Sequence, residues 1–259
     1  MKIAISGKGG VGKTTLAGLM GRLWAREGKK VLLVDADPSP NLISMLNIPE
    51  DVRQTIIPLN QMHDLIEERT GVRPGSSYGA FFRLNPRVDD LIDKLAVSGA
   101  DGVKLLVLGA MRIGGGGCYC PENVMLKSMF QRVSFRDEIV IMDLEAGVEH
   151  LGRSTAKNMD LLIIVIEPGM RSIDVAVQIK TMASDIGLEN VKVVLNKSKD
   201  SDVGIISHEV EKRGLQLIGA LPFNPKFMEA DLKGISPIDY LNFDSFDDVR
   251  KIMAKISED

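Results

Sequence analysis

Nine consecutive residues near the start of the chain, Gly7-Lys8-Gly9-Gly10-Val11-Gly12-Lys13-Thr14-Thr15, carry its densest chemistry. They match G-x-x-x-x-G-K-[ST] and lie between an apolar run (Lys2–Ser6) and an amphipathic stretch, the context in which that pattern cradles phosphate. Glycines let successive backbone N–H groups curl around an anion, and the N-terminus of the following helix adds a favourable dipole. Lys13 supplies a point charge for the β/γ phosphates and Thr14 a hydroxyl for Mg²⁺, while Gly9, Gly10, Val11, Gly12 and Thr15 complete the predicted loop. Two acidic clusters follow other apolar runs: Asp35-Ala36-Asp37-Pro38 and Asp143-Leu144-Glu145-Ala146-Gly147. Strand ends are where ligands sit in open α/β sheets, and phosphoanhydride hydrolysis needs carboxylates to orient water and hold hydrated Mg²⁺. Asp35 reads either as a supporting partner of these groups or as a strand-end cap.

The only two cysteines stand in Gly114-Gly115-Gly116-Gly117-Cys118-Tyr119-Cys120-Pro121-Glu122-Asn123. Pro121 and Glu122 predict the first turn of a helix ending near Arg132 or Val133, with Cys120 at or next to its N-cap. Helix-dipole character there favours thiolate, a nucleophile and a soft metal ligand. Two thiolates cannot close a tetrahedral site, but two chains related by a twofold axis supply four. Such a site suits Zn²⁺, Ni²⁺, copper(I) or an iron–sulfur cluster. Two incidental small residues and a redox pair are the alternatives; the short ring of a C-x-C disulfide is strained.

These groups need a scaffold. Continuous β-branched runs at Lys2–Ser6, Val31–Val34, Val103–Leu108, Ile139–Met142, Leu161–Ile166, Val191–Leu195 and Leu215–Gly219 have the pattern of strands covered on both faces. Helical periodicity lies between them, as in Leu16, Leu19, Met20, Leu23 and Trp24, and again from about Ser172 to Ile186 before Gly187. The alternation predicts a doubly wound, mainly parallel sheet of seven or eight strands with helices on both faces. The segment at about 48–102 fits less well. It holds helical stretches near 60–70 and 87–97 around a Pro74-Gly75-Ser76-Ser77 loop, and reads as an insertion in a single domain spanning 1–259.

Composition sets outer bounds. The 259 residues are 44% hydrophobic and 26% charged, enough for a core and unlike a disordered chain. A net charge of −3 gives no global basic field for nucleic acid or anionic membrane. No apolar run spans a bilayer and the N-terminus lacks signal-peptide features, so a cytoplasmic location is expected. Phe243, Phe246, Val249, Ile252, Met253 and Ile256 form an apolar stripe, yet Asn242–Asp259 is net acidic and reads as a core-packing terminal helix, not a membrane anchor.

The stretch Lys8-Gly9-Gly10-Val11-Gly12-Lys13-Thr14-Thr15 resembles the deviant Walker A signature of the MinD, ParA and nitrogenase-iron-protein group of P-loop ATPases. That resemblance implies that Lys8 reaches across a dimer to the partner's nucleotide and that Asp37 positions the attacking water. It also makes Asp143 the Walker B acid, sharing Mg²⁺ with Thr14 and Asp37, and Gly147 the switch glycine near the γ-phosphate. Asn196, after a predicted strand, has an amide able to pair with an adenine edge, and the group places an Asn there with a proline turn, here Pro222, against the ring. Gly117–Asn123, together with Asp143-Leu144-Glu145-Ala146-Gly147-Val148-Glu149-His150-Leu151-Gly152-Arg153, is similar to the CooC/AcsF group of nickel-insertion ATPases. The similarity runs from Met1 to about Leu221 and is weakest across Ile48–Gly102. It implies ATP-dependent dimerisation, Ni²⁺ (or Zn²⁺ in its place) at Cys118 and Cys120, and delivery to apo carbon monoxide dehydrogenase or acetyl-CoA synthase. Two other classes stand beside it: an iron–sulfur carrier or scaffold ATPase, and a MinD/ParA-type spatial-organising ATPase. His150 reads as an ordinary polar residue near the switch, not a further ligand.

Overall fold

A computed structural model describes residues 1–37, 39–75, 81–109, 121–133, 138–145, 147–148 and 158–258. Eight strands form one sheet: β1 (Lys2–Gly7), β2 (Val31–Ala36), β3 (Val97–Ser98), β4 (Lys104–Val107), β5 (Ile139–Leu144), β6 (Leu161–Ile166), β7 (Val191–Ser198) and β8 (Leu217–Pro222). Their order is β3-β4-β2-β5-β1-β6-β7-β8, parallel throughout except for the antiparallel β3–β4 pair. The sequence expectation of a mainly parallel sheet therefore holds, at eight strands.

The apolar runs are continuous because both faces are covered. Side chains alternate between two cores: Ile3 and Ile5 of β1 enter one, Ala4 the other; Val31 and Leu33 of β2 enter the first, Leu32 and Val34 the second. The first core is closed by α1 (Lys13–Arg26) and by a helix near the C-terminus, Asp247–Glu258, numbered α10 below. The second lies under α3 (His63–Thr70), α4 (Leu91–Leu95), α5 (Pro121–Val133), α6 (Met170–Asp185) and α7 (Asp200–Lys212). Short helices α2 (Glu50–Arg53), α8 (Lys226–Leu232) and α9 (Pro237–Tyr240) complete the described set, with α10 last.

Helix α5 spans the predicted Pro121–Val133, with Met125, Leu126, Met129, Phe130 and Val133 buried at helical spacing. The helix read at 87–97 is shorter, Leu91–Leu95. Ala96 is extended, and Val97-Ser98 leave the helix to pair with Leu105 and Lys104 at the sheet edge. The stretch at 60–70 divides into a 3₁₀ turn, Leu59–Gln61, and α3. Val249, Ile252, Met253 and Ile256 of α10 are buried, with Phe246 before them, as a core-packing helix requires.

Arg22 of α1, 2% exposed, fastens the C-terminal section to this frame. Its guanidinium donates to Asp101 (Nε, 2.7 Å), to both carboxylate oxygens of Asp239 (Nη2 to Oδ1, 2.9 Å) and to the Met45 carbonyl (3.3 Å). Arg26, one turn on, reaches the same two acids at 3.1 and 3.2 Å. The α8–α9 segment is thereby held beside the loop that follows β1.

Candidate nucleotide site

A parallel sheet sends every strand's C-terminal end to one edge, and the order β2-β5-β1 makes three chemically loaded ends neighbours. Asp35 and Asp143 stand directly opposite each other in the β2–β5 register, and Ile5, just before the glycine loop, pairs with Asp143. Residues more than a hundred apart in sequence converge here.

Gly12 forms the N-cap of α1 in a left-handed conformation (φ +98°) with no side-chain cap. The first-turn N–H groups are left for an anion. A Cβ on Gly12 would overlap the Asn196 amide, so this position requires glycine on two grounds. Lys13 is buried, with Nζ donating to the Lys8 carbonyl at 3.2 Å. The loop around it is exposed at Lys8, Gly9 and Gly10. Thr14 Oγ1 donates to Asp143 Oδ2 at 2.6 Å.

Asp143 is 1% exposed, and burial pushes its carboxyl up to about 7. The Thr14 hydrogen bond and Lys13 oppose the shift, and the charges of Asp35 and Asp37 add to it. Its Oδ1 is buried without a hydrogen-bond partner among the described residues. Asp35 is also raised, to about 6, chiefly by burial, against backbone N–H bonds from Leu42 (3.0 Å), Asp37 (3.1 Å) and Asn41 (2.9 Å). All three donors are backbone N–H groups of the loop leaving β2, so Asp35 caps the strand end and in doing so holds the backbone that carries Asp37. Asp37 is half-buried and accepts from the Ser39 N–H at 2.9 Å.

Gly9, Gly12, Lys13, Thr14, Thr15 and Asp37 line a cleft of about 470 Å³. An adjoining cavity of about 310 Å³ is more apolar, walled by Leu16, Asn196, Pro222, Phe223 and Phe227. The structure thus brings Asn196 and Pro222 together beside the loop. Asn196 Nδ2 donates to the Val11 carbonyl (2.7 Å) and Oδ1 accepts from the Lys197 N–H (2.9 Å), so the amide also braces the loop.

Two contributors escaped the sequence reading. Lys197 has φ +56° and sends Nζ to the Gly10 carbonyl at 2.6 Å, with Glu167 at 3.6 Å. The Asn-Lys pair after a strand was the available signal. Ser6 hydrogen-bonds the Gly147 backbone. Glu145 is exposed. Cys118, Cys120 and His150 lie outside the described residues.

A family model for the CobQ/CobB/MinD/ParA nucleotide-binding domain matches residues 2–238. The chain belongs to that family. Within it, the carbon monoxide dehydrogenase accessory protein CooC of Rhodospirillum rubrum is 41% identical over 241 residues, covering 92% of this chain and 90% of that protein. An uncharacterised ATP-binding protein of Methanocaldococcus jannaschii is 43% identical, covering 90% of each chain. MinD of Aquifex aeolicus, solved with MinC, superposes with a TM-score of 0.68 at 23% identity over 99% of this chain and 96% of that one. A ParA-family ATPase of Chlorobium tepidum gives 0.66 at 19% identity over 99% and 97%. The fold is that of the MinD/ParA P-loop ATPases, and the chain is an ATPase of the CooC kind within the family.

The donors present suit the Mg²⁺ this family's nucleotide chemistry implies. Among the described residues no three His, Cys, Asp or Glu side chains form a closed cage. Mg²⁺ needs none, since it keeps several waters and takes one or two carboxylates with substrate phosphates. The orphaned Asp143 Oδ1 and the Thr14 hydroxyl are hard oxygen donors at the head of α1.

Proposed function

We propose that this protein is an ATP-driven metallochaperone that matures carbon monoxide dehydrogenase or acetyl-CoA synthase. ATP closes a homodimer, a soft metal ion (nickel as cargo) is held between Cys118-x-Cys120 pairs of two subunits, and hydrolysis releases it to the apo-enzyme. The similarity to CooC across 92% of the chain carries this reading.

The nucleotide's phosphates lie in the Gly9–Thr15 cleft, with Lys13 neutralising the β/γ oxygens and the α1 N–H groups completing the anion cradle. Thr14, Asp143 and Asp37 hold Mg²⁺, which when bound offsets the charge that develops on the phosphate oxygens. Asp37 orients the attacking water, on a loop fixed by Asp35. Gly147 offers its N–H to the γ-phosphate, and Lys8, exposed at the loop's outer face, reaches the partner subunit's nucleotide. The adenine lies in the apolar cavity against Pro222, with Asn196 at its edge. ATP moves such an equilibrium only through its differential affinity for the closed dimer.

Apart from this chain itself, the partner is the apo-enzyme, and the site of action the cytoplasm. No described helix is long and apolar enough to cross a membrane. The test is a Ni²⁺ titration of apo-protein with and without ATP or ADP, with dimerisation followed by light scattering. One Ni²⁺ per dimer is expected, lost in the Cys118→Ala/Cys120→Ala variant while nucleotide binding persists. Retention of that Ni²⁺ in the double variant overturns the proposal. Broad absorption near about 400 nm after anaerobic purification selects the iron–sulfur alternative. A salt-sensitive DNA shift selects the ParA-type one.

A further inference from the structure

Ser6, the penultimate residue of β1, is a fully buried hydroxyl at the entrance to the phosphate loop. Strand alternation puts it on the face of Ala4, opposite the core that receives Ile3 and Ile5. There the chain leaving β5 crosses the end of β1. The Ser6 hydroxyl donates to the Gly147 carbonyl at 2.7 Å and accepts from the Gly147 N–H at 3.0 Å, with the Glu145 carbonyl 3.3 Å away as a second acceptor. Gly147 is buried with φ +99°. One side chain therefore engages both backbone polar groups of a single glycine.

We propose that Ser6 is a latch on Gly147: without nucleotide it occupies the Gly147 N–H, and the γ-phosphate of ATP competes for that same N–H. This rests on the reading of Gly147 as the glycine beside the γ-phosphate. A buried N–H does not leave its acceptor for nothing, but a phosphate oxygen is ionised and its hydrogen bonds are about twice as strong as neutral ones. The hydroxyl is not stranded by the exchange, because it still has two carbonyls to donate to. ADP has no γ-phosphate and leaves the latch closed, so Ser6 is a positioning residue that separates the two nucleotides.

The latch makes a prediction that a merely structural serine does not. Dissociation constants for ADP and for a β,γ-imido ATP analogue, both with Mg²⁺, are to be measured in wild type, Ser6→Ala and Ser6→Thr. In Ser6→Ala no bond must be broken before the γ-phosphate binds, so preference for the analogue over ADP rises roughly three- to tenfold. ADP affinity stays put, and Ser6→Thr, which keeps the hydroxyl, restores the wild-type ratio. An unchanged ratio, or equal shifts for both nucleotides, overturns the proposal. If Ser6→Ala does not fold, amide exchange on the wild type decides. Gly147 N–H protected without nucleotide and with ADP, and altered by the analogue, supports the latch; free exchange without nucleotide refutes it. Nickel is absent from these measurements, so failure of the metal-delivery reading leaves them untouched. Absence of ADP binding to the wild type would instead refute the nucleotide site itself.

Discussion

Asp143→Asn should stabilise the nucleotide-free protein at pH 8 and make it less sensitive to pH. The carboxyl is raised from 3.8 to about 7, mainly by burial, and its Oδ1 has no hydrogen-bond partner among the described residues. Between those two values the folded chain holds a proton that the unfolded chain has given up, so stability falls as pH rises through the window. The asparagine variant has no such titration. Its advantage over wild type should grow by up to about 1.4 kcal/mol per pH unit from pH 5 to 7 and level off above 7. The full shift sets a ceiling of about 4 kcal/mol; the amide must still be buried, so about 2 kcal/mol is expected at pH 8. Asp35, raised to about 6, is present in both proteins and cancels to first order.

The assay is urea unfolding with EDTA at pH 5, 6, 7 and 8, comparing midpoints and slopes. Parallel profiles, with the same difference between the proteins at every pH, would refute the argument even if the variant were more stable. A second arm adds Mg²⁺ with a non-hydrolysable ATP analogue. Wild type should gain about 2.7 kcal/mol at a hundred times the dissociation constant, and Asp143→Asn much less if this carboxylate holds the ion as proposed. A residue that costs stability without ligand and is needed with it is the signature of a functional site.

Three further substitutions probe the frame. Arg22→Met should cost about 2–3 kcal/mol, less than the 3–5 typical of a broken buried pair, because Asp101 and Asp239 are 23% and 26% exposed and keep Arg26. A thermal midpoint within a degree of wild type would contradict this. Gly12→Ala should weaken ADP binding by at least about tenfold, through the strain of φ +98° and overlap with Asn196, in a protein that still unfolds cooperatively; unchanged affinity by calorimetry would argue against the loop geometry. Ile252→Ala should cost about 2–5 kcal/mol as a core truncation, whereas a surface-anchor helix would lose under about 0.5, a difference urea unfolding resolves.

What the sequence disclosed depended on whether a residue's role was local. The phosphate loop is legible because G-x-x-x-x-G-K-T encodes its own backbone, and α5 because Pro121 marks its start and six buried residues its face. β3 was not: two residues carry no periodicity, and Val97-Ser98 become a strand only by pairing with Lys104-Leu105. Ser6 read as the boundary of an apolar run, since nothing local says that Gly147, 141 positions on, crosses above it. Lys197 is left-handed where the β7–β8 register shifts, and its Nζ lands on a carbonyl 187 residues away. Asp35 stayed between two readings until its three backbone donors were visible.

Topology also bears on the proposed coupling of metal to nucleotide. β4 ends at Val107, on the same edge of the sheet as the phosphate loop, and α5 begins at Pro121. In a parallel sheet the helix that crosses over begins at that edge, which is also the edge of the candidate nucleotide site. α5 is anchored by Met125, Leu126, Met129 and Phe130 in the core that also receives Val148, the residue after Gly147. The apolar layer that seats the turn after β5 therefore also seats the helix following Cys120. Under the proposed function, a γ-phosphate at Gly147 and a cargo at Cys118 and Cys120 would be coupled through this one layer of packed side chains, and packed layers shift between discrete arrangements more readily than they deform.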